Sequence, residues 1–171
     1  VPRAERFRPL VLGGTAIGAL AAASLLFARD QLIYNHSPSL PAGFYLRIFS
    51  APARGRLIRF AMPPAAAAYA RDRGDDVRDV TFLKPIAAAA GDHVCRNGAE
   101  VSVNGASVAV ARDRDSEGRP LPAWAGCRTL GPDEVLVLAM RVPNSFDSRY
   151  YGPVPTSRIL GVYRPLWTFS P

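Results

Sequence analysis

A single lysine, Lys84, stands in the chain against 20 arginines, and Phe82, Leu83, Pro85 and Ile86 around it are all apolar. A lysine so placed either snorkels to water on its long stem or stays dry. If dry, its ammonium is destabilised: moving the titration from near 10.4 to about 7 or 8 corresponds to roughly 3 to 5 kcal/mol of desolvation. The neutral amine that results is a general base able to take a hydroxyl proton. Two polar segments carry hydroxyls. NHSPSLPAGFY, residues 35–45, holds Ser37 and Ser39 in a turn-forming context ahead of a β-rich run. NSFDSRYYGPVP, residues 144–155, holds Ser145 and Ser148, either able to hydrogen-bond a neutral amine, with Asp147 and Arg149 spaced to brace a loop as an ion pair. Each segment alone has a plain structural reading as turn or loop chemistry.

The elements that must position these groups read mainly as short strands. GFYLRIF (43–49), RLIRF (56–60) and VLVLA (135–139) are β-rich runs bounded by Pro and Gly. VSVNGASVAV (101–110) carries Asn104-Gly105 between alternating apolar residues, a strong hairpin signal. One helix is expected over residues 63–73, where prolines open an alanine-rich run. The apolar run around Lys84 reads as a buried strand and His93 as part of another, the charged, proline-bearing stretch 111–124 as a surface excursion, and the remainder as turn or loop.

The chain has 171 residues, 49% of them hydrophobic and 20% charged, which excludes a disordered chain and a multi-span membrane protein. Its net charge is +7, but the basic residues are spread along the chain, so no nucleic-acid partner is expected. Residues 10–28 carry no charge, and 19 helical residues cover about 28 Å, enough to span a bilayer. Arg3, Arg6 and Arg8 precede this segment while Arg29 and Asp30 cancel after it, so the positive-inside rule puts the N-terminus in the cytoplasm. The segment is longer than a signal-peptide core and lacks a good cleavage site, which favours an anchor. The expected organisation is a cytoplasmic N-terminus (1–9), a transmembrane anchor (10–28) and an extracytoplasmic domain (29–171). Export permits a disulfide between Cys95 and Cys127, closing a hairpin and loop insertion over 95–127, although free thiols are the alternative. His93, Cys95, Cys127 and the distant His36 lack the paired spacing of a structural zinc site, so no metal is expected.

Taken in order, the anchor, NHSPSLPAGFY, FLKPIAAAAGDHV (82–94), the VNG hairpin, GRPLPAWAGC (118–127) and SFDSRYYGPVP (145–155) resemble the type I signal peptidases, specifically the TraF-like peptidases of conjugative transfer systems. The resemblance implies a β-rich signal-peptidase-like fold and a serine endopeptidase with a Ser-Lys dyad and no cofactor. The serine two residues before Pro41 makes Ser39 the nucleophile, with Ser37 the alternative; the lysine seven residues before Gly91-Asp92 makes Lys84 the general base. Ser37 then lines the oxyanion hole beside the Ser39 N–H, Ser145 orients the lysine, and Asp147 and Arg149 are the supporting pair. Ala90 departs from the proline common at that place, and the short Ser39-Leu40-Pro41 spacing fits the TraF-like branch. The implied partners are the membrane, a pilin-like precursor and components of a conjugative type IV secretion apparatus. The implied location is the bacterial inner membrane, with the catalytic domain periplasmic. In this branch the substrate's own amine is a candidate to resolve the acyl-enzyme, giving a cyclic product.

Two rivals make different demands. A Ser-His-Asp hydrolase needs His36 or His93 beside a serine, and a silent anchored scaffold needs neither serine nor lysine. Ser39 lies 11 residues past Ala28, so an extended chain keeps it within about 36 to 40 Å of the end of the anchor, a reach suited to peptides emerging from a bilayer.

Overall fold

Runs of two to eleven residues, separated by Pro- and Gly-rich turns, assemble into two antiparallel sheets among the described residues. The computed structural model describes Ser24 and residues 30–169. The expected cytoplasmic segment and, apart from Ser24, the expected anchor lie outside the described residues. Two compact units divide at Ile33/Tyr34, and the candidate site belongs to the second, Tyr34–Pro171.

The strands are β1 (Leu32–Asn35), β2 (Ala42–Ile48), β3 (Leu57–Ala61), β4 (Thr81–Ala88), β5 (His93–Asn97), β6 (Glu100–Val103), β7 (Ala106–Val110), β8 (Gly126–Thr129), β9 (Glu134–Val137), β10 (Val154–Pro155) and β11 (Ile159–Phe169). A seven-stranded sheet runs β1-β2-β11-β3-β4-β9-β10, and a four-stranded sheet runs β7-β6-β5-β8. Helix α1 (Pro64–Asp72) follows β3, and the single-turn α2 (Ser148–Tyr151) precedes β10. The expected helix forms because proline at a first turn loses no helical bond, and Ala66, Tyr69 and Ala70 give it a buried face.

The chain after Pro155 corrects the expectation of turn and loop there. β11 is the longest strand and fills the middle of the large sheet between β2 and β3. Pro165 conceals it in the sequence, and the structure accommodates that residue at a register shift between Pro165 and Trp167. At the same place Gly43 of β2 adopts φ +145°, and a Cβ there would lie 2.3 Å from the Trp167 carbonyl oxygen. Strands β1, β8 and β10 and helix α2 also occupy stretches expected to be irregular. The Asn104-Gly105 hairpin joins β6 to β7 with both residues at positive φ, as a two-residue primed turn requires.

Two apolar clusters hold the sheets. Ile58, Phe60, Ile86, Val137, Val154 and Val162 pack within the large sheet's core. Ala88, Val94, Val101, Val103, Leu136 and Leu138 form the second cluster, joining the small sheet to β4 and β9. Cys95 and Cys127 face each other across β5 and β8 and are joined by a disulfide. The 111–124 stretch contains no strand, but its Trp124 is half-buried and donates from Nε1 to the Ser148 carbonyl at 2.8 Å.

Candidate active site

Lys84 sits in the middle of β4 opposite Ile58 of β3, and only 4% of it is exposed. Alternation along the strand puts Phe82 and Ile86 on its own face, and both contribute to the core of the large sheet. Burial lowers the Lys84 amine from 10.5 to about 8; the Asp147 charge opposes that shift and the Arg149 charge adds to it. The amine donates to Ser145 Oγ at 3.0 Å, a buried bond joining residues 61 positions apart.

Ser145 is held by the segment between β9 and α2. Asp147 caps α2 by accepting from the Arg149 amide, and its carboxylate also accepts from the Ala139 amide at 3.0 Å. The Arg149 guanidinium meets both Asp147 oxygens, from Nε at 2.8 Å and Nη2 at 3.1 Å. Its remaining donors bind the Pro143 and Ala139 carbonyls. The pair is fully buried, so its geometry fixes the loop that presents Ser145.

The serine turn is built from local contacts. Asn35 Nδ2 donates to the carbonyls of Ser37, Leu40 and Pro41, while Asn35 Oδ1 accepts from the Ser37 amide. Tyr45 Oη donates to the Pro41 carbonyl at 2.8 Å. Within this frame Ser37 Oγ and Ser39 Oγ are 2.9 Å apart and share a hydrogen bond, and the Ser39 amide donates to Ser37 Oγ at 3.5 Å. Ser39 is buried and Ser37 half-buried.

The structure therefore pairs Lys84 with Ser145, Ser37 with Ser39, and Asp147 with Arg149. Among the described residues no hydrogen bond joins Lys84 directly to Ser39 or Ser37. The two halves meet at a groove of about 850 Å³, whose wall includes Ser37, Ser39 and Pro85, the residue after Lys84. That volume lies in the usual range of ligand sites. A second cavity, about 450 Å³, lies between α1 and the 112–121 loop and reaches Phe146 but none of the serines above.

Of the two histidines, His36 is exposed on the groove wall, and His93 lies 3.5 Å from Cys95 Sγ on the small sheet. Neither bonds to Ser37 or Ser39 among the described residues. The donor atoms of His93, Cys95 and Cys127 lie within 4.8 Å of one another, but both sulfurs are committed to the disulfide and are not thiolate ligands. In the Gly91-Asp92 pair, Gly91 turns the chain at φ +87° and Asp92 pins the turn through the Ala89 amide and Asn104. These two bonds, the amide first, hold its carboxyl below the usual range.

Of the two serines offered as partners of the amine, Ser145 takes that place, while Ser148 Oγ accepts from the Val137 amide at 3.0 Å. Two supporting residues escape a reading of the sequence: Asn35 closes the serine turn, and buried Arg96 donates from Nη1 to the Arg149 carbonyl at 2.8 Å. Only Asn35 carries a local signal, since Asn two residues before a serine turn is a frequent side-chain cap of the backbone.

The family profile described as "Signal peptidase, peptidase S26" matches residues 6–167. A plasmid transfer protein TraF from Escherichia coli is 33% identical, the match covering 94% of each chain. A probable conjugal transfer protein TraF from Sinorhizobium fredii is 32% identical over 99% of this chain and 95% of its own. A crystal structure of a signal peptidase I from Enterococcus faecalis aligns at TM-score 0.40 and 20% identity, covering 67% of this chain and 98% of that one.

Proposed function

The chain belongs to the signal peptidase (peptidase S26) family, among its TraF relatives, and from that premise we propose that it is a membrane-anchored serine endopeptidase using Ser39 and Lys84. The observation that carries this reading is the dry Lys84 amine, lowered to about 8 and hydrogen-bonded at 3.0 Å to Ser145, beside the groove that holds Ser39.

In the reaction Ser39 Oγ leaves Ser37 and turns toward Lys84, which removes its proton as the oxygen attacks a peptide carbonyl. Catalytic contacts are often incomplete without substrate, so a resting Ser39–Ser37 bond accords with this sequence. The Ser37 hydroxyl and the Ser39 amide, freed from each other, donate to the carbonyl oxygen as it becomes negative. Protonated Lys84 then gives its proton to the departing amine as the C–N bond breaks, leaving an acyl-Ser39 ester. Ser145 keeps the amine aimed through both steps. Water, deprotonated by Lys84, attacks the ester and releases the acid; an amine of the same substrate attacking instead yields a ring. Signal-peptidase chemistry at an anchored domain, together with the TraF relatives, supports an exported pilin-like precursor of a conjugative apparatus as substrate. The working domain is then periplasmic, held to the inner membrane by residues 10–28.

The test is precursor cleavage in membranes. Ser39→Ala and Lys84→Ala each lower turnover by about 10⁴-fold or more, and the mature product's mass distinguishes ring from acid by one water. Wild-type cleavage by either variant removes the dyad. Normal pilus assembly with Ser39→Ala favours the scaffold instead.

A further inference from the structure

The groove beside the serines has a one-sided charge. Leu40, Pro41, Leu138, Ala139 and Val142 make much of its surface apolar, and no Asp or Glu lines it. Arg141 is the sole arginine or lysine on its wall. It is exposed and makes no ion pair or side-chain hydrogen bond among the described residues. Its backbone is nevertheless fixed. The Val142 amide donates to the Ala139 carbonyl, and buried Arg149 grips the carbonyls of Ala139 and Pro143 on either side. The same clamped loop continues to Ser145, the partner of Lys84.

A peptide laid in this groove displaces water from the Arg141 guanidinium. A neutral segment returns only uncharged hydrogen bonds and a basic one adds repulsion, whereas a carboxylate replaces the lost hydration with a charge-assisted hydrogen bond. We propose that Arg141 is a specificity-determining residue, selecting polypeptides that carry an Asp or Glu side chain close to the scissile bond. This deepens the peptidase reading above and rests on it.

The test uses the full chain in detergent with Ser39→Ala to suspend turnover. The probes are terminally blocked, alanine-rich decapeptides bearing one Glu, Gln or Lys at successive positions, with binding followed by fluorescence anisotropy. At one or two positions Glu binds about fivefold more tightly than Gln, the scale of a partly exposed ion pair, and Lys binds more weakly than either. Arg141→Lys retains the preference, Arg141→Gln abolishes it, and Arg141→Glu reverses it toward the Lys peptide. The proposal is overturned if no position discriminates, if no peptide binds, or if the preference survives Arg141→Gln. It is also overturned if Arg141→Gln only weakens binding to vesicles containing anionic lipid, which would give the guanidinium to the membrane. Cleavage by the chain with Ser39 intact is scored separately. Cleavage without charge preference sinks only the role of Arg141, and charge-selective binding without cleavage sinks only the peptidase reading.

Discussion

The lysine side and the serine side of the site are built by opposite means. Lys84 is dried by neighbouring strands, and its partner Ser145 comes from 61 positions away. Ser37 and Ser39 are framed by Asn35 bonds spanning no more than six positions, and by Tyr45 just beyond. Lowering an amine's pKa by desolvation requires excluding water from most directions, which tertiary packing does. Presenting a hydroxyl that must change partner requires a fixed backbone around a side chain free to rotate, which a turn supplies.

If that contrast is right, the largest stability loss should come from the long-range side. Arg149→Met leaves the Asp147 carboxylate without its counter-charge in a dry site and should lower stability by about 3 to 5 kcal/mol in urea unfolding, only partly recovered by a second change, Asp147→Leu, because the buried Ala139 and Arg149 amides then lose their acceptor. An unchanged midpoint for Arg149→Met would erase the distinction between the two sides.

Lys84→Met should act the other way. The amine titrates at 10.5 when unfolded and about 8 when folded. Between those values the unfolded chain binds more protons, so stability rises with pH. Below about 8 both states are protonated and the full penalty is present; above 10.5 it has vanished. Removing the amine should therefore stabilise the protein by about 2 kcal/mol at pH 7, roughly 3 from the pKa difference less about 1 for the Ser145 bond. That gain should fade as pH rises toward 10.5, and activity should be lost. The wild-type rate should rise with pH through a midpoint near 8. A less stable Lys84→Met at pH 7 would mean that the amine is not held at a cost.

The smallest effect belongs to the local side. Asn35→Ala leaves three carbonyls and one amide of the serine turn without their partner and should cost about 1 to 2 kcal/mol. The rate should fall while its pH midpoint stays near that of the wild type, because Lys84 is untouched. A displaced midpoint would show that the two sides are not separable.

The same contrast governs what the sequence discloses. The serine turn, the hairpin at Asn104-Gly105 and the alanine-rich helix are legible because their determinants lie within a few residues. Lys84 is legible as an anomaly of composition, but its bond to Ser145 depends on which strands neighbour β4. Arg96 and Ser148 give no local sign of bracing α2, and Pro165 hides β11 because proline ordinarily argues against a central strand. The order of the motif-bearing segments, through the family resemblance, links Lys84 to Ser145 and to the Asp147–Arg149 stretch.

Gly43 adds a warning for anyone screening variants by their output. The Trp167 carbonyl occupies the space where even one methyl group would go. Every substitution there forces β2 and β11 apart just four residues beyond Ser39, so a library scored on product alone would rank this position with the nucleophile. A measurement of folded protein beside product would return it to its proper class, as a place where two backbones touch.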